Sequence, residues 1–198
     1  MMFSIEELLQ AASQIDKFLK QQSWKFCFIG GIAIQRWSEL RFTQDVDLTL
    51  LTGFGKEENF VDILLKEFKP RRSDAREFAL TSRVLLARTK GGIEVDIALG
   101  ALPFEERTIV RASTWEIAQG ISLTTCSAED LVVHKVFAGR DLDWADVERI
   151  LIRQHGKLNL DQIRSELKPL LELKGEIDAL EKLEQKLAVV ERRLQAKP

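Results

Sequence analysis

Asp45 and Asp47 are the residues of this sequence whose type and spacing point most directly to chemistry. They stand in Thr43-Gln44-Asp45-Val46-Asp47-Leu48-Thr49-Leu50-Leu51, which reads as a strand with carboxylates at alternate positions. Successive strand side chains point to opposite faces, so Asp45 and Asp47 share one face while Val46, Leu48 and Leu50 share the other. Two carboxylates side by side repel, and the usual compensation is a divalent cation with oxygen ligands, most often magnesium. The plain alternative is a solvent-facing edge strand with two exposed acids. What lies upstream favours the cation. Phe26-Cys27-Phe28-Ile29 is an apolar run of strand length, and Gly30-Gly31 breaks it where bare backbone can approach a ligand. Ile32 to Leu40 then reads as a short helix leading to the acidic strand.

A second set of residues could join that pair. Val84 to Arg88 and Ile93 to Ala98 flank Lys90-Gly91-Gly92, a good hairpin signal. Asp96 lies mid-strand, on the same face as Glu94 and Ala98. An aspartate among Val95, Ile97 and Leu99 is costly to bury unless paired or metal-bound, so it is a candidate third carboxylate, with a rim-facing position as the alternative. Lys135 borders the apolar stripe of a later helix. It either snorkels its stem over the core or presents a compact cation to phosphates. Lys69 to Arg76 is a basic loop, read as a solvated turn, with a contact to an acceptor's phosphates as the functional alternative.

The combined pattern Ile29-Gly30-Gly31, thirteen intervening residues, then Asp45-Val46-Asp47 resembles motif I of the nucleotidyltransferase superfamily, the DNA polymerase β-like fold. The form Gly30-Gly31-Ile32-Ala33, with Thr43 before the first acid, looks most like the AbiEii-type toxins and some antibiotic nucleotidyltransferases. The string from Ala128 to Val147 is similar to the Glu-Asp-Leu, Lys, Ala, Arg-x-x-Asp, Asp-Val string found downstream in AbiEii-like members.

The resemblance, which covers about residues 26 to 150, implies a mixed α/β (α+β) fold with a mainly antiparallel or mixed sheet flanked by helices. It implies transfer of a nucleoside monophosphate from a nucleoside triphosphate (NTP) to an acceptor hydroxyl, with Mg2+ or Mn2+ as cofactor. Asp45 and Asp47 would bridge two such ions, and Asp96 would either ligate the second or accept the hydroxyl proton. Gly30, Gly31 and Thr43 would meet the nucleotide; Lys135, with Arg36 or Arg41, would neutralise the leaving pyrophosphate. A site aspartate would be Asp143 or Asp146, each of which could equally cap a helix. The acceptor would be RNA, a protein or a small molecule. The chain would be the toxin of a toxin–antitoxin pair, a catalytically silent regulator of the same fold, or an antibiotic-modifying enzyme.

The positioning elements read as follows. Ser4 and Glu7 form a capping box for an amphipathic helix to about Gln21. Gly53-Phe54-Gly55 makes a turn before a helix from Glu57 to Phe68, and Leu102 to Glu105 opens a short helix. Thr114–Ile117 and Ile121–Thr125 form a second hairpin about Gln119-Gly120, and Ser127 to Asp130 caps another helix. Gly139 eases a break between helices, and His134 and His155 are structural. Residues 1–156 are expected to be the core domain and 157–198 a helical C-terminal segment. Its stripe of Ile177, Leu180, Leu183, Leu187, Val190 and Leu194 would cover the core, pair with a second copy or dock a cognate antitoxin.

Bulk properties narrow the class. With 45% hydrophobic and 30% charged residues the chain is an ordinary globular one, and a net charge of −2 gives no global basic field for nonspecific nucleic-acid binding. Cys27 and Cys126 are read as buried thiols, and no zinc spacing is present. No signal peptide is evident, and no apolar run approaches the roughly 18 residues of a membrane span. The expected place is the cytoplasm, with no membrane partner.

Overall fold

The computed structural model describes residues 3–39, 41, 43–118 and 120–196. The chain divides into two compact units, one of Met1–Ile32 with Phe42–Cys126, the other of Ala33–Arg41 with Ser127–Pro198.

The first unit is built on a mixed sheet. Its strands are β1 (Phe26–Phe28), β2 (Asp45–Leu51), β3 (Lys69–Pro70), β4 (Val84–Arg88), β5 (Glu94–Gly100), β6 (Ser113–Ala118) and β7 (Ile121–Thr125). Their order is β3-β4-β5-β2-β1-β7-β6, with β2–β5 and β1–β7 parallel and the other neighbours antiparallel. The helices are α1 (Ile5–Gln21), the start of α2 (Gly30–Trp37), α3 (Glu57–Glu67), α4 (Ala75–Ser82) and α5 (Pro103–Arg111). This is the mixed α/β arrangement expected.

Period-2 patterning fixes the faces. In β2, Val46, Leu48 and Leu50 are fully buried, and in β5 so are Val95 and Ile97. They join Leu8, Ala12, Ile15 and Leu19 of α1 in one core. Each large aliphatic side chain buried there stabilises by about 1.5–3 kcal/mol. The capping box forms as read: the Glu7 N–H donates to Ser4 Oγ at 3.1 Å, and the Ser4 N–H to the Glu7 carboxylate at 2.7 Å. Cys27 and Cys126 are buried thiols with no disulfide.

The second unit continues from Ala33 of α2 and adds α6 (Ala128–Ala138), α7 (Asp141–Arg153), α8 (Leu160–Lys174) and α9 (Asp178–Gln195). Ser127 Oγ accepts from the Asp130 N–H at 3.1 Å to start α6, and Gly139, at φ +72°, ends it. Helices α7 and α8 pack on α6, and α9 packs on α7 and α8. Leu183 and Val190 are buried there, while Ile177 and Val189 are exposed. The boundary expected at 156/157 falls inside this unit, because α8 and α9 share their core with α6 and α7.

Several boundaries differ from the sequence reading. Gly30 and Gly31 are the first residues of α2 rather than a loop before it, and Leu40, the expected helix end, lies outside the described residues. Thr43 and Gln44 precede β2. The stretch read as a basic turn holds a strand, β3, and leads into α4, because Lys69 and Pro70 pair with Arg88 and Ala87. The second hairpin forms, though Gln119 lies outside the described residues. Gly175, at φ +77°, caps α8, so α9 begins only at Asp178.

Candidate active site

Sheet register decides which acids meet. In the parallel β2–β5 pair, Asp45 stands opposite Glu94 and Asp47 opposite Asp96. Directly paired residues project to the same face, so all four carboxylates share the side opposite Val46, Leu48, Val95 and Ile97. Each of the four is half-buried rather than free in solvent.

The glycine pair explains how that face is closed. A Cβ on Gly30, which has φ +53°, would lie 2.0 Å from Asp47 Oδ2. One on Gly31 would lie 2.2 Å from Thr43 Oγ1. The Thr43 hydroxyl in turn donates to Asp45 Oδ1 at 2.8 Å. The two glycines therefore let the start of α2 press directly against the acid strand. Only a residue without a side chain fits there.

The supposedly solvated loop supplies the main cation of this face. Arg71 Nη2 lies 2.7 Å from Asp96 Oδ1, and its Nη1 pairs with Glu94 Oε2. The Arg71 N–H donates to Leu86 O at 3.1 Å, anchoring the backbone to β4. Arg88 Nη2 reaches Glu94 Oε1 at 2.7 Å. The Arg88 hydrogen bond, against burial and with Arg71 assisting, holds the Glu94 carboxyl below its ordinary range. Burial pushes Asp96 above its ordinary range; Arg71 opposes this, and the charges on Asp45 and Glu94 add to it.

The second unit gathers a different cluster. Lys135, 8% exposed, lies 2.9 Å from Asp143 Oδ1 and 3.0 Å from Asp146 Oδ2. Arg41 Nη2 donates to Asp146 Oδ2 at 3.1 Å, while its Nε lies 3.0 Å from Oδ1 as an ion pair. Arg149 adds a third cation to Asp146 at 3.2 Å, and Arg140 binds Asp143 at 2.6 Å. Asp143 also accepts from the Arg140 N–H at 3.3 Å at the start of α7. Burial raises the affinity of Asp143 for a proton, but the hydrogen bonds from Arg140 and Lys135 and their charges outweigh it and hold the carboxyl low. Both aspartates thus anchor Lys135. Four cations share these two buried carboxylates. Arg36 stacks over the Trp37 ring at 4.2 Å.

Among the described residues no three or more His, Cys, Asp or Glu side chains converge as a ready metal cage. Asp45 and Asp47 still supply hard oxygen donors on one face, the donor type that a divalent ion such as magnesium takes. Asp96 is already engaged by Arg71. Of the residues singled out from sequence, Asp45, Asp47, Asp96, Gly30, Gly31 and Thr43 come together in the first unit. Arg41, Lys135, Asp143 and Asp146 do so in the second. Sequence reasoning missed Arg71, Arg88, Arg140 and Arg149. The signal for Arg71 was Glu94, two residues before Asp96 on the same face and in need of a partner.

Comparison with known proteins agrees with the topology. The nearly full-length stretch 19–196 matches the family described as nucleotidyl transferase AbiEii toxin, type IV TA system. No curated protein matches the chain in sequence. The fold is similar to that of an antigenic nucleotidyltransferase-like protein from Paracoccidioides brasiliensis, at 18% identity and a TM-score of 0.56, covering 91% of this chain and 95% of that one. Weaker likenesses are ANT(2")-Ia in complex with adenylyl-2"-tobramycin (16% identity, TM-score 0.41, 94% of each chain) and a CCA-adding enzyme with CTP (13% identity, TM-score 0.38, 91% of this chain and 50% of that one). An acid-bearing mixed sheet of this topology and a match over most of the length lead to one assignment: the chain belongs to the AbiEii family of nucleotidyltransferases.

Proposed function

We propose that the chain moves a nucleoside monophosphate from an NTP onto an acceptor hydroxyl, with Asp45 and Asp47 holding a magnesium ion. The observation that carries this reading is the register of Asp47 with Asp96 on the face that Gly30 closes. When bound, the ion would supply Lewis-acid stabilisation of the phosphoryl oxygens. Asp96, raised in proton affinity by burial, takes the proton from the acceptor hydroxyl. The acceptor oxygen bonds to the α-phosphorus as the α–β bridging P–O bond breaks, and pyrophosphate carries away the electron pair.

Thr43 orients Asp45 through its 2.8 Å hydrogen bond. Within the second unit, Lys135 and Arg41, anchored on buried Asp146 and Asp143, are assigned to binding of an anion such as phosphate, with Arg36 in a supporting role. The family description supports a toxin role with a separate antitoxin as partner, and a nucleic-acid or protein hydroxyl as acceptor fits that role. No helix is long and apolar enough to cross a membrane among the described residues, and the proposed place of action is the cytoplasm.

The test is transfer of label from α-labelled NTPs to total RNA or lysate protein in the presence of magnesium. Asp45→Asn and Asp47→Asn are each expected to lower transfer by about a hundred- to a thousandfold with unchanged thermal unfolding, since a preorganised charge contact is worth roughly 10²–10³ in rate. Normal labelling by both variants would overturn the assignment.

A further inference from the structure

A cleft of about 530 Å3 opens beside Asp45, lined by Phe3, Gln44, Arg88, Gly92 and Glu94. That size is ordinary for a small-ligand site. Phe3 stands just before the capping box of α1, is half-buried, and packs in part on the core. A Cβ on Gly92, at φ +94°, would lie 3.6 Å from the ring carbon Cζ of Phe3, so the ring rests against the bare backbone of the β4–β5 turn. Arg88 is held on Glu94 Oε1 through Nη2 at 2.7 Å and Nε at 3.3 Å. Gln44, exposed just before Asp45, carries an amide that both donates and accepts. An aromatic ring, a guanidinium plane and a side-chain amide around one cleft are the groups that hold an unpaired nucleobase, by stacking and by its hydrogen-bonding edge.

Sheet order decides which reactant the cleft serves. Across this face the strands run β4-β5-β2-β1. Gly30, after β1, meets Asp47, whereas the cleft lies on the other flank, where Arg88 of β4 pairs with Glu94 of β5. The attacking and leaving oxygens of a phosphoryl transfer stand roughly in line through the phosphorus. A donor whose phosphates lie on the Gly30 side therefore takes its acceptor from the β4–β5 side, where Asp96 follows Glu94 by two residues on the same face. We propose that the cleft is the acceptor pocket and takes a nucleoside, its base stacked on Phe3 and read by Gln44, its ribose hydroxyl directed to Asp96. The inference rests on the transfer reading above and names the acceptor's chemistry. Phe3 and Gln44 are specificity-determining residues, and the ribose hydroxyl is the attacking group of the step already described.

The test uses the full chain, magnesium, α-labelled NTPs and three acceptors: adenosine, a single-stranded RNA tetramer, and the same tetramer with 1-deoxyribose in place of its last nucleoside. The natural chain is expected to label the base-bearing tetramer about tenfold or more above the abasic one, as the loss of one stacked base predicts. That advantage should fall toward one in Phe3→Ala and Phe3→Leu, through the KM for the tetramer and not for the NTP, and survive in Phe3→Trp. Phe3→Leu keeps the apolar bulk that packs on the core, and thermal unfolding identifies a fold defect in either variant. Gln44→Leu should change the order of preference among tetramers that differ in the last base. Labelling of adenosine as well supports the pocket for a free nucleoside, and labelling of the tetramer alone supports it for an RNA end. Equal labelling of the two tetramers, a Phe3→Ala loss equal on both, or labelling of lysate protein alone overturns the inference and leaves the transfer reading standing. No labelling of any acceptor, total RNA and lysate protein included, overturns the transfer reading itself.

Discussion

At the residue scale, Gly30 decides more than a turn. The sequence presents Gly30-Gly31 as backbone kept bare for a ligand, yet each glycine faces a side chain of the acid strand's approach, Asp47 and Thr43. Gly30→Ala places a methyl 2.0 Å from Asp47 Oδ2 at a φ of +53°. The left-handed backbone costs roughly 1–2 kcal/mol for a residue with a Cβ. Displacing the carboxylate by about an ångström is expected to reduce label transfer about a hundredfold. Transfer and melting temperature measured on one preparation separate the two effects, and a rate loss no larger than the fraction unfolded would refute the contact.

Asp143 offers a pH test. Its carboxyl is held low in the folded chain by Arg140 and Lys135 despite burial, so its contribution is full above the unfolded value of about 3.9 and fades as pH falls through the lower folded value. Asp143→Asn is expected to cost about 3 kcal/mol at pH 7, the low end for a broken buried pair because Lys135 keeps Asp146. The gap to the natural chain should close below about pH 4 in denaturant titrations. A gap independent of pH would mean that packing, not charge, is what Asp143 provides.

At the scale of elements, the parts with strong periodicity were readable. The capped α1, the acidic strand and the β4–β5 hairpin stand where alternation and turn chemistry put them. What alternation cannot tell is which strand lies beside which. Asp45 and Asp47 could be assigned a common face, but the parallel pairing of β2 with β5 rests on a crossover through α3, β3, α4 and β4. Arg71 was misread for the same reason: a run of basic residues looks solvated until the sheet order brings Glu94 and Asp96 beneath it. Helix α4, of eight residues, is too short for its period to stand out. The family string around Lys135 was legible as a motif, but not that Asp143 and Asp146 would both be spent on anchoring the lysine.

At the scale of the molecule, the two units are not consecutive pieces of chain. Ala33–Arg41, lying between β1 and β2 in sequence, belongs to the second unit, where Trp37 O accepts from Gln154 Nε2 at 2.9 Å and Arg41 pairs with Asp146. A single cut at 126/127 therefore strands that segment on the wrong fragment. Fragments 1–126 and 127–198 expressed apart are expected to show the poor amide dispersion of incompletely folded chains. Co-expressed, they should recover the native spectrum. Well-dispersed spectra from fragment 1–126 alone would show that the segment adds nothing to its integrity.

The parallel ladder between β2 and β5 also sets a timetable. Ribosomes release polypeptide from its beginning, and contacts between distant stretches must wait for the later one. Asp45 and Asp47 emerge early, after β1, but Glu94 and Asp96 stand opposite them only once the segment ending at Gly100 has followed. A nascent or prematurely terminated product stopping short of that point can pair β2 with β1 but has neither Glu94 nor Asp96 to set beside Asp45 and Asp47.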